Sequence, residues 1–242
     1  MTFTKGIQMI PICRLRTAFA ASLFASACAT TAPLVRQECY NADAQLASVL
    51  RPLEDMRANG CDSGVRQRSD CDHLRQEIER LAVVCPSHAP TLMANAVIAY
   101  DEHRPVKSQQ FLDQILAQPQ GHPDAAVLRA RIAIEEGNLP FARRLLEHQI
   151  TLTPDHGGLH ETYGAVWYLG GHLVEARHEL TTAAALGSPR WRVAYHLGLV
   201  EESAGRLDEA LRYYAEALEG NPGWALAQTR LNALRAKRPV ER

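Results

Sequence analysis

The chain has 242 residues, 46% of them apolar, enough to bury a core of ordinary size in one domain or in an elongated stack. Its formal net charge is −1, and no stretch gathers five or six like charges. That balance excludes nucleic acid and anionic surfaces as partners attracted by charge alone.

The N-terminus reads as a targeting segment. Lys5, Arg14 and Arg16 precede an apolar run from Ala18 to Ala27. At about ten residues the run is too short to span a bilayer but suits the apolar stretch of an export signal. Its end, Leu23-Phe24-Ala25-Ser26-Ala27-Cys28, resembles the lipobox of bacterial lipoproteins, with Ala25 where leucine is usual. The resemblance implies removal of 1–27, lipidation (palmitate) of Cys28 and a flexible tether over 28–38. It also implies an outer-membrane anchor facing the periplasm, because the aspartate associated with inner-membrane retention does not follow Cys28. An ordinary secretory signal cut near Ala27 is the alternative, and Met9 is a second candidate start.

Four cysteines then remain in an oxidising compartment: Cys39, Cys61, Cys71 and Cys85. Apolar Leu46, Val49, Leu50 and Leu53 recur at helical spacing from Asn41 to about Met56, and Leu74, Ile78, Leu81 and Ala82 do so further on. Residues 39–88 therefore read as two antiparallel helices joined by a polar loop from Ala58 to Asp70. A helix of roughly 25 to 30 Å would separate Cys39 from Cys61, far beyond the Cα separation of about 4.4 to 6.8 Å that a disulfide tolerates. The nested pairing Cys39–Cys85 and Cys61–Cys71 is predicted. A zinc site is the rival, but no Cys-x-x-Cys is present.

Beyond the hairpin one pattern is written three times with a period of 34 residues. Glycine recurs at 137, 171 and 205, alanine at 142, 176 and 210, and leucine at 139, 173 and 207. Ala130, Gly164 and Gly198 keep the step, and so do Pro154, Ser188 and Pro222. A unit of this length is a helix-turn-helix that buries its apolar face by stacking on copies of itself. The units run 89–122, 123–156, 157–190 and 191–224. The last, with Ala194, Leu197, Gly198, Gly205, Ala210, Tyr214, Ala217 and Pro222, resembles the tetratricopeptide repeat (TPR) in spacing and residue type. Unit 123–156 departs from it at Arg129 and Gln149, and unit 89–122 at His103, where glycine is usual, and at Ser108. The resemblance implies an all-α, right-handed α-solenoid of TPR units with a disulfide-stapled first hairpin. An amphipathic segment from Trp224 to Leu234 reads as the capping helix of 225–242.

No catalytic constellation emerges. The ten histidines read as solvated side chains, His156 and His160 straddle the turn glycines Gly157 and Gly158, and Glu135-Glu136 and Glu201-Glu202 read as solvated helix ends. No metal, cofactor, small-molecule substrate or enzymatic activity is expected. A histidine-based enzyme or metal-binding protein is kept as a remote alternative. The resemblance implies a protein or peptide partner in a concave groove lined by the first helix of each unit. Tyr100, Arg131, Tyr168, Arg192 and Tyr195 are the candidate contacts, because tyrosine and arginine dominate recognition. Packing between neighbouring units is the competing role for each tyrosine. The lysine and asparagine pairs that clamp a chaperone tail in some TPR proteins are missing. The layout is similar to TPR lipoproteins that serve pilus or secretin assembly, with an adaptor for peptidoglycan enzymes as the alternative.

Overall fold

The computed structural model describes residues 39–58 and 65–237. The expected leader over 1–27, Cys28, the tether, Cys61 as the expected partner of Cys71, and the tail after 237 lie outside those residues. Among the described residues the chain is all-α, with a 3-10 turn at Cys39–Asn41 and no strand.

Helices α1 (Ala42–Ala58) and α2 (Val65–Val84) make the N-terminal hairpin. Four further pairs follow: α3 (Ala89–Asp101) with α4 (Pro105–Leu116), α5 (Pro123–Glu135) with α6 (Leu139–Leu152), α7 (Gly157–Leu169) with α8 (Leu173–Ala185), and α9 (Arg190–Ser203) with α10 (Leu207–Gly220). The single helix α11 (Ala225–Lys237) packs on the last pair. Each helix lies against its neighbours in sequence, and the first helices of successive pairs touch where α5 meets α7 and α7 meets α9. That contact pattern is side-by-side stacking of hairpins, the organisation of an α-solenoid. One boundary differs from expectation. The connector after α1 is shorter, because α2 already runs at Val65 where loop was predicted through Asp70. The arginines and glutamine at 66–68 have helix propensities close to alanine's and let the helix begin early.

The turns explain the repeating glycines. Gly137, Gly171 and Gly205 have φ of 74°, 80° and 75°, the left-handed region that a Cβ disfavours. At each, the next residue's N–H reaches back five residues, as in Asn138 N to Ala133 O at 2.7 Å and His172 N to Trp167 O at 2.9 Å. The glycine N–H itself bonds three residues back, which completes a Schellman motif and satisfies the last carbonyls of the first helix. In the first unit His103 takes this position with φ of 57°, and Arg104 N still bonds Ala99 O at 2.8 Å. The hydrogen-bond pattern thus forces the backbone into shape even where the residue resists it.

The small-residue columns sit where helices cross. Ala130, Ala142, Ala176 and Ala210 are fully buried, and so are Leu112, Leu146, Leu180 and Tyr214, which recur at the same 34-residue step. A Cβ on Gly198 would lie 2.5 Å from Cε1 of Tyr214, so the bulkiest side chain of the column requires the smallest partner. Departures from the repeat pattern are accommodated by specific polar contacts. The Ser108 hydroxyl, in an alanine column, donates to the Ala96 carbonyl at 2.8 Å, and Gln149 Oε1 accepts from the His122 N–H at 3.1 Å. Arg129 replaces an apolar residue by laying its guanidinium 4.4 Å over the Phe141 ring while Nε donates to Asp113 at 2.9 Å.

The two ends are finished differently. Cys39 and Cys85 are joined, with Cα atoms 5.5 Å apart, across a core of Leu46, Leu53, Ile78 and Leu81. Asn95 fastens α3 to that hairpin by donating to the Ile78 carbonyl at 3.0 Å. At the other end Trp224 meets Trp191 edge-on at 4.8 Å and Tyr195 at 4.4 Å between ring centroids, and Ala227, Leu231 and Leu234 of α11 are buried beneath.

Candidate functional site

The first helices α3, α5, α7 and α9 stand side by side, and their shared face carries all five candidate partner contacts. Tyr100, near the end of α3, donates its hydroxyl proton to Glu135 at the end of α5. Burial pushes that phenol above its usual value, the bond to and charge of Glu135 push the same way, and Arg131 opposes them. One double step further along, Tyr168 of α7 accepts from the Ser203 hydroxyl of α9 at 3.3 Å, so this tyrosine position reaches the next first helix twice, once as donor and once as acceptor. Arg131 is exposed and makes no ion pair among the described residues.

The remaining two candidates are more tightly held. Arg192 of α9 forks onto Glu161 of α7, with Nε to Oε1 at 2.5 Å and Nη2 to Oε2 at 2.7 Å. Glu161 is buried, and such a bidentate pair fixes the spacing of the two helices as well as their charges. Tyr195 is buried to 9% exposure, with its ring against Trp224 and 5.8 Å from Tyr214. Its surface goes mainly into seating α11, the packing role that competed with ligand contact.

His196 joins this face and was not among the sequence candidates. Its Nδ1 lies 3.6 Å from Glu161 Oε1. Burial lowers the imidazole's pKa below the usual histidine value; Glu161 works against this, while Arg192 and Arg131 add to it. The signal in the sequence was its position beside Tyr195, on a helix already assigned to the groove. The result is a row running Tyr100, Glu135, Arg131, then Glu161, Arg192 and His196, of alternating charge and with aromatic ends. It can offer hydrogen bonds and charge to an extended polypeptide, and it contains no nucleophile paired with a base.

Two expectations about the polar residues need correction. Glu201 is not a solvated helix end: it is fully buried, with Oε1 on Arg177 and Oε2 on Arg206. Its neighbour Glu202 accepts from the Tyr214 hydroxyl at 2.7 Å; burial raises that phenol's pKa, and the bond to Glu202 adds to the rise. His160 is not solvated either, since it is buried and bridges Glu179 at 2.7 Å and the Pro154 carbonyl at 2.9 Å. His156 stands at the N-cap of α7 and faces Asp124 across 3.3 Å. These histidines and acids tie helices together, and among the described residues no three His, Cys, Asp or Glu side chains converge on a point where a metal would sit.

No family model and no curated protein sequence matches the chain. Solved structures do. The chain is similar to a thermophilic TPR protein of Thermus thermophilus, with a TM-score of 0.63 at 21% identity over 79% of this chain and 99% of that one. It is similar to MamA, with a TM-score of 0.53 at 19% identity over 65% of this chain and 92% of that one. The APC/C hetero-tetramer Cut9–Hcn1 gives a TM-score of 0.64 at 12% identity, over 86% of this chain and 43% of that one. Stacked helix pairs, left-handed turn positions repeated every 34 residues and these likenesses together make the fold a tetratricopeptide-repeat α-solenoid.

Proposed function

We propose that the protein is a non-enzymatic, lipid-anchored scaffold of the periplasm, which holds another protein in the groove of its TPR array during assembly of an envelope machine such as a pilus or secretion system. The observation that carries the reading is the row from Tyr100 through Arg131 to Arg192, which keeps aromatic and charged groups on one face of four stacked helices. Tyrosine and arginine held at the centre of such a face supply most of the affinity in protein interfaces. The lipobox-like Leu23-Phe24-Ala25-Ser26-Ala27-Cys28 supports the anchor and the compartment.

The test is crosslinking in intact cells followed by identification of the attached proteins. Arg131→Glu is the variant of choice because Arg131 is exposed and outside the ion-pair network, whereas reversing Arg192 would set two carboxylates against each other at Glu161. Loss of a specific envelope partner with unchanged melting is the expected result. Capture that survives Arg131→Glu and Tyr168→Ala together would remove the groove as the binding site. Recovery of peptidoglycan enzymes in place of machine components would redirect the assignment to the adaptor reading.

A further inference from the structure

A cavity of about 330 Å³ opens between α6 and the end of α7, away from the groove positions. Arg143 and Arg144 of α6, Trp167 of α7 and His172 at the start of α8 surround it over an apolar floor of Leu139 and Val166. The volume lies at the lower end of the range of small-ligand sites, about 300 to 1,000 Å³.

The internal repeat shows what the position is built to hold. One unit later, the residues 34 positions on from Arg143, Trp167 and His172 are Arg177, Glu201 and Arg206. There the two arginines grip the Glu201 carboxylate from both sides, and it is fully buried between them. In the earlier unit Arg143 and His172 stand at the two corresponding positions. The Arg143 guanidinium lies 5.3 Å from the Trp167 ring centre, and the His172 ring meets the same indole edge-on at 5.1 Å. The carboxylate is replaced by an aromatic wall, and space is left in front of it. Arg143 and Arg144 make no ion pair among the described residues. Glu175 stands 3.9 Å from His172 Nδ1, and Glu147 is one helical turn beyond Arg143.

We propose that this cavity binds a carboxylate carried on a planar or apolar group, with Arg143 and Arg144 taking the charge and Trp167 the attached group. The carrier is a free organic acid or the carboxyl end of a peptide. The site is independent of the groove described above, because none of its residues lies among the groove contacts.

Calorimetric titration of the exported protein separates the possibilities. The probes are benzoate, its uncharged analogue benzamide, a short peptide ending in phenylalanine, and the same peptide amidated at that end. An acid should bind at least tenfold tighter than its amide, Arg143→Gln should cost about tenfold or more, and Arg143→Lys should restore part of it. Arg131→Glu in the groove should leave this binding unchanged, so the site stands or falls apart from the proposed scaffold function. Tighter capture of the peptide acid assigns the site to chain ends, and tighter capture of benzoate assigns it to free acids; either upholds it. Equal binding of acids and amides, no heat from any probe at millimolar concentration, or undiminished binding by a folded Arg143→Gln variant would overturn it. His172→Gln provides a second variant should Arg143→Gln lose helicity.

Discussion

Gly198→Ala is the sharpest test of how the helix pairs nest. In an isolated helix the change is favourable by about 0.8 to 1 kcal/mol, since glycine is among the poorest helix formers. Here the new methyl would lie 2.5 Å from Cε1, 2.7 Å from Cδ1 and 3.1 Å from Cζ of Tyr214. Ordinary carbon contacts need about 3.5 to 4.0 Å, so ring or helix must retreat by roughly 1 Å. The ring has no room to do so: Tyr214 is fully buried, its hydroxyl is tied to Glu202 at 2.7 Å, and the Tyr195 ring stands 5.8 Å away. Overpacking of a core costs about 1 to 3 kcal/mol, so the clash outweighs the propensity gain. Taking the middle of that range, we expect a net loss of about 1 kcal/mol and a fall of about 2 to 4 °C in Tm for a chain of this size. The same substitution in a Tyr214→Ala background meets open space and should be neutral or stabilising by up to about 1 kcal/mol. Urea unfolding followed by helical circular dichroism on the four proteins of the cycle gives both numbers. Destabilisation of equal size in both backgrounds would refute the claim that the glycine exists to receive the ring.

Other expectations follow from the same contacts. His103→Gly relieves a left-handed residue with φ of 57° and should stabilise by about 1 kcal/mol, read as a rise in Tm; Gly171→Ala should do the reverse. Because burial lowers the pKa of His196 in the folded protein, the unfolded chain takes up its proton first. That contribution to stability is intact above the ordinary histidine value of about 6.5 and declines as pH falls from there toward the lowered folded value. His196→Gln should therefore flatten the stability profile between about pH 7 and pH 5, and identical profiles for the two proteins would contradict the burial argument. Replacing Cys39 and Cys85 by serine opens a bridge spanning 46 residues and should cost about 4 kcal/mol in the chain-entropy estimate, with hydrogen exchange rising in α1 and α2 before the later pairs.

The glycine and alanine columns were legible because each has a single physical cause. A left-handed turn position selects glycine at 137, 171 and 205, and a close helix crossing selects alanine at 142, 176 and 210. The nested Cys39–Cys85 bridge was legible for a similar reason, since the length of the intervening helix keeps Cys39 from Cys61. What periodicity could not convey is how departures from the pattern are absorbed. Ser108 and Gln149 look like faults in a small-residue column until the Ala96 carbonyl and the His122 N–H are seen opposite them. Glu201 reads as a surface acid at a helix end because its two arginines come from another helix and from beyond the turn, and no local rule brings them together. On the groove, helix position identified which side chains share a face. It could not separate Arg131, open to solvent, from Tyr195, whose ring is spent on Trp224.

The seams between pairs are not copies of one another. Asn95 on Ile78 secures the first, Arg129 on Asp113 the second, His156 on Asp124 the third, Arg192 on Glu161 the fourth and Trp224 on Trp191 the last. Each acts as a key cut for one lock. A chain slipped by one whole unit during folding would bring Arg192 opposite Val127 and leave the Glu161 carboxylate buried without its cation, a penalty of several kcal/mol. The irregularities that blur the motif therefore give every unit an address, and they guard an array of near-identical hairpins against assembling out of order.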